Sequence, residues 1–131
     1  SNWAAGEIDL WSGEVRQRYD ARDQQMFARC LWRAQARVLL PRLEEARHRA
    51  ETRLLKEVPP YVQDELSKQT RSDGVLEFAS MRRTLRDQGY RVESSLWQLI
   101  SSAIPVRNSL AHMVPPQPGD VERLLQWMLM G

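Results

Sequence analysis

A side chain that can move a proton and one that can hold a phosphate stand five residues apart near the C-terminus, in the run Pro105-Val106-Arg107-Asn108-Ser109-Leu110-Ala111-His112. An imidazole changes charge near neutral pH, so His112 can serve as a general acid or base. A guanidinium keeps its charge and its planar fork matches phosphate oxygens, so Arg107 can clamp a phosphodiester and stabilise its transition state. Asn108 adds a polar group able to orient either. Proline favours the first position of a helix, and a start at Pro105 would place Arg107 and Asn108 in a first turn whose free N–H groups and dipole also suit an anion. On such a helix Asn108 and His112 share a face, whereas Arg107 and His112 lie about 140° apart. Arg107 must therefore reach round the helix or meet a histidine from a second copy of the chain.

Other chemistries fail on inventory. Zinc requires three or four Cys or His ligands, and Cys30, His48 and His112 are the only such residues, without metal-site spacing. No Gly-rich loop leads into Lys-Ser or Lys-Thr, and neither Lys56 nor Lys68 completes an S-x-x-K dyad. Ser109 and His112 lack a G-x-S-x-G elbow. The other Arg/His pair, Arg42 and His48, falls among Glu44, Glu45, Arg47 and Arg49, which reads as a solvated charged face.

The string Arg107-Asn108-x-Leu110-Ala111-His112 resembles the R-x4-H signature of the HEPN superfamily (higher eukaryotes and prokaryotes nucleotide-binding). Residues 92–130 carry the resemblance: a strongly periodic helix, the motif, a proline-containing loop, and a last helix with Asp120 and Trp127. It implies a bacterial defence, toxin or stress-response domain that cuts RNA as a homodimer. Two motif helices would form a composite site there, with no metal or other cofactor. Arg107, Asn108 and His112 would be its catalytic residues. Further partners would be other domains of a parent protein, or an antitoxin that masks the site. The rival expectation is a non-catalytic helical dimerisation or interaction module that keeps the motif for structural reasons.

The elements that must position these residues are helical throughout. Ile8, Trp11, Val15 and Tyr19 mark a first helix, and Phe27, Leu31, Ala34 and Val38 continue at the same spacing. Leu43, Ala46, Ala50 and Leu54 follow Pro41, which predicts one helix bent there in preference to two. Pro59-Pro60 stops it, and residues 61–69 suit a short helix. Asp73 is a candidate cap for the stripe Val75, Phe78, Met81 and Leu85, which Gly89 ends. Val92, Leu96, Leu99, Ile100 and Ala103 define the next helix, and Asp120 caps a last one carrying Val121, Leu124, Leu125 and Met128. The expectation is an all-α antiparallel bundle of four principal helices plus short ones, forming a single domain over residues 1–131. The Ser1-Asn2 start suggests that it is cut from a larger protein.

Composition agrees with a globular core: 42% hydrophobic and 27% charged residues, net charge +2. Of the 19 basic residues only two are lysines, leaving 17 arginines that can meet phosphate locally. One cysteine, read as a small core residue, suits a reducing compartment, and no apolar run spans a membrane, so the expected location is cytoplasmic. Trp97 and Trp127 read as core or interface residues ahead of base-stacking ones, the five methionines read as core filler, and the apolar 125–130 end should pack on the bundle or a partner.

Overall fold

A computed structural model describes the backbone of residues 3–130 and the side chains of residues 21–130. It is all-helical, with five helices in the order α1 (Trp3–Glu57), α2 (Pro60–Gln69), α3 (Phe78–Asp87), α4 (Ser94–Ala111) and α5 (Pro118–Met130). Four of these follow the apolar stripes read from the sequence, and α2 is the short helix expected at residues 61–69. The side chains of the Ile8, Trp11, Val15 and Tyr19 stripe lie outside the described residues.

Helix α1 runs through Pro41 without a break. The ring removes the N–H that would bond to the Arg37 carbonyl, a loss a helix tolerates when burial on both sides holds the turn. Leu39 and Leu43 supply that burial, and Ala46, Ala50 and Leu54 extend the face down the helix. Pro59 and Pro60 then end α1 and open α2, with Pro60 at the position where a missing N–H costs nothing.

The middle of the fold is α4, which packs against α1, α3 and α5. Its buried residues Leu96, Leu99, Ile100, Ala103, Ile104, Val106 and Leu110 cover most of its circumference, as a central helix requires. Here the expected helix start at Pro105 is overturned, because α4 continues through that proline to Ala111. Ile104 and Val106, buried on either side, hold the turn in helical form although the bond to the Ser101 carbonyl is lost.

Other expectations need correction for similar local reasons. Asp73 does not cap α3: its carboxylate accepts the Val75 N–H within the preceding loop, and α3 begins at Phe78. Phe78, Met81 and Leu85 are nonetheless buried as the stripe predicted. Gly89 closes α3 in the left-handed region at φ +62°. Asp120 lies inside the first turn of α5, whose leading N–H groups turn back to the Gln117 carbonyl. Cys30, Met26, Met113 and Met130 are exposed and are not core residues.

The largest correction concerns the first described side chains of α1. Phe27 (69% exposed), Leu31 and Val38 (60%) face solvent, and the face that docks is Trp32, Ala36, Leu39 and Leu43. No helix among the described residues is long and apolar enough to cross a membrane.

Candidate functional site

Arg107, Asn108 and His112 occupy the C-terminal end of α4, in its last turn and at its cap. This reverses the electrostatics expected from a helix start. A helix C-terminus offers its carbonyls and the negative end of its dipole, so any phosphate held here must be held by guanidinium groups.

The chain leaves α4 by a two-bond cap. The Met113 N–H donates to the Leu110 carbonyl (3.3 Å) and the Val114 N–H to the Ser109 carbonyl (2.9 Å). That pairing calls for a left-handed residue directly after the cap, a place usually taken by glycine. Met113 takes it at φ +57°. His112, the cap residue itself, is exposed, and its imidazole has no hydrogen-bond partner among the described residues.

A residue far away in sequence ties this end of α4 to α1. The Trp32 indole N–H donates to the Leu110 carbonyl at 3.0 Å, which satisfies a last-turn carbonyl and anchors the two helices together. Sequence reasoning gave Trp32 no role. The signal available was an indole about two turns before Leu40, the first α1 residue to line the groove beside Arg107.

Arg107 points to the other side of α4, into a groove of about 420 Å³ between α1, the 71–78 segment and α4. Leu40 and Glu44 on α1, Arg71, Glu77 and Phe78 line it with Leu110. A smaller cleft of about 290 Å³ adjoins it, and Arg107 and Asn108 both line that one. Arg107 and Asn108 are therefore brought together, whereas His112 lines neither cavity. Within one chain the expected trio does not converge.

The three groove guanidiniums differ in how far they are satisfied. Arg47 is 7% exposed and does not belong to the solvated face that its charged neighbours suggest. It donates to Glu44 through Nε (3.0 Å) and Nη2 (2.7 Å), and through Nη1 to Glu51 (3.0 Å) and the Leu76 carbonyl (3.3 Å). Its hydrogen bonds from Arg47 hold the Glu44 carboxyl below its ordinary value, with a smaller contribution from the positive charge of Arg107. Arg71 pairs with Asp73 and with Glu77 Oε1 (2.8 Å). Arg107 Nε stands 3.8 Å from Glu77 Oε2, inside ion-pair range but beyond a hydrogen bond. Glu77 is thus shared, and Arg107 keeps donors for a ligand.

The remaining candidates resolve simply. His48 is exposed in mid-helix, as a solvated face requires. Trp97 and Trp127 are half-buried against the core, and Trp97 has Arg86 over its ring, 5.8 Å from the centroid. In α5, Leu124 is buried and Trp127 and Met128 pack on the core, while Leu129 and Met130 face solvent.

Comparison with family models, with curated proteins and with solved structures found no match to this chain.

Proposed function

We propose that this chain is an HEPN-like endoribonuclease domain that cuts RNA without a metal, as a homodimer, in a cytoplasmic defence, toxin or stress-response setting. The observation that carries the reading is the free, exposed imidazole of His112 on the same helix end as Arg107, the least satisfied guanidinium of the groove. Because the two point to different sides of α4, a second copy would complete the site, bringing one chain's imidazole to the other's guanidinium.

The chemistry follows from the groups. One imidazole takes the proton of a ribose 2′-hydroxyl, whose oxygen attacks the adjacent phosphorus. The bond to the 5′-oxygen breaks and that oxygen takes the proton back from the imidazolium so formed, leaving a 2′,3′-cyclic phosphate, a 5′-hydroxyl and a neutral imidazole. Arg107 stabilises the charge that gathers on the phosphate oxygens, and Asn108 orients the phosphate or the imidazole.

The test is cleavage of end-labelled RNA in EDTA. The expected products carry 2′,3′-cyclic phosphate and 5′-hydroxyl ends, and DNA is not cut. His112→Ala should lower the rate about 10²-fold or more and leave the melting midpoint unchanged, since the imidazole holds nothing in place. Cleavage that requires magnesium, 5′-phosphate products, or full activity in His112→Ala would overturn the proposal.

The pairing of Arg107 with Glu77 favours a second reading, a non-catalytic interaction module in which Arg107 fastens α4 to the segment before α3. In that case Arg107→Ala lowers stability and the unaltered domain cuts no RNA.

A further inference from the structure

The stretch of α1 that exposes Phe27, Leu31 and Val38 also carries arginines in a regular row. Arg29, Arg33 and Arg37 are spaced four residues apart, which on an α-helix sets successive guanidinium stems about 6 Å apart along one side. Residues 24–43 contain four arginines and no acidic residue. Among the described residues no carboxylate lies within ion-pair distance of Arg29, Arg33 or Arg37, and all three are exposed.

The row also has a destination. By helical angle, Arg29, Arg33 and Arg37 fall in the same arc of roughly 80° as Leu40, Glu44 and Arg47, which line the Arg107 groove one to three turns further along. Trp32, bonded to the Leu110 carbonyl, fixes this stretch of α1 against the end of α4 that bears His112.

We propose that Arg29, Arg33 and Arg37 form a track for the sugar–phosphate backbone of single-stranded RNA, leading into the Arg107 groove. The proposal rests on the ribonuclease reading for what happens at the end of the track, but not for binding itself. Repeated monovalent charges at even spacing match a polyphosphate strand, and the absence of carboxylates along the row leaves nothing to compete. The groove is nearly balanced in charge, since Glu44 and Glu77 offset two of its three arginines, so most of the affinity for a long strand comes from the row.

The experiment measures binding of a fluorescein-labelled single-stranded RNA 20-mer, in a His112→Ala background that prevents cutting, across a salt series. In that background R29Q/R33Q/R37Q should weaken binding tenfold or more at low salt. It should also reduce the slope of log K against log salt by about 2, from three phosphate contacts at roughly 0.7 each. R42Q/R49Q, or R42Q/R49Q/K56Q to match the charge removed, takes exposed cations from the opposite side of α1 and should leave both unchanged, and circular dichroism checks that each variant is folded. Absence of RNA binding, an unchanged slope in the triple variant, an equal loss in R42Q/R49Q, or equally tight binding of polyglutamate would overturn the track. If the unaltered domain binds RNA through the row but cuts none, the ribonuclease reading fails and the track stands. If it cuts RNA while the row proves indifferent, the track fails alone.

Discussion

Residues 21–38 and 39–57 of α1 share one helix and contain four arginines each, yet the first stretch exposes Phe27, Leu31 and Val38 while the second buries Leu43, Ala46, Ala50 and Leu54. Their acidic content separates them as well, with one residue in the first stretch and four in the second. An arginine can enter a core only if a carboxylate and polar atoms enter with it, and Arg47 has Glu44, Glu51 and the Leu76 carbonyl within reach. Arg33 and Arg37 have no such neighbours and stay in water. The second stretch is therefore an integral part of the bundle, whereas the first docks through Trp32 and Ala36 and otherwise displays a charged surface.

If that division is right, substitutions in the two halves should differ by several kcal/mol. Leu54→Ala, in the second stretch, removes a fully buried side chain and should cost about 3 kcal/mol, read as a lower urea midpoint at unchanged slope. Arg47→Ala should cost about 2 kcal/mol, less than for a wholly buried pair because Glu44 is itself exposed. A variant as stable as the parent would show that the Arg47 cluster is decorative.

The hold of the first stretch on the bundle is tested by Trp32→Phe, which keeps the ring packing and deletes the bond to Leu110. The expected loss is about 1 kcal/mol in a calorimetric scan. The smallest effect belongs to the exposed residues of the first stretch. The double variant Phe27→Ala, Val38→Ala should change stability by no more than about 0.5 kcal/mol, because both side chains are already solvated. A loss of 2 kcal/mol or more that grows with protein concentration would instead place this surface in a dimer interface.

The same comparison shows what sequence could and could not reveal. Helix content, the breaks at Pro59 and Gly89, and the buried faces of Leu43 to Leu54 and Phe78 to Leu85 follow from spacing alone. In residues 27–43, two apolar stripes interleave at helical period: Phe27, Leu31, Ala34 and Val38 on one side, Trp32, Ala36, Leu39 and Leu43 on the other. Periodicity identifies a helix from either stripe, but only tertiary packing chooses the one that docks. Pro105 was ambiguous in a related way, since a proline that suits a helix start can also sit inside a helix held by Ile104 and Val106. The burial of Arg47 depends in part on a carbonyl 29 residues away, and the role of Trp32 on one 78 residues away. The motif residues were visible as chemistry, but their place at a helix end, with Arg107 and His112 on different sides, depended on where α4 stops.

That stopping point is mechanically sharp. Met113 holds a backbone conformation that costs a side-chain-bearing residue of order 1 kcal/mol, and its relaxation into the right-handed basin would wind α4 onward past His112. The winding can gain only a residue, because Val114 precedes Pro115 and a residue before proline is driven out of helical geometry. Pro115 thus acts as a pawl on the end of α4. The helix can advance a short way past His112 and no further, which limits how far the direction of the His112 imidazole can turn.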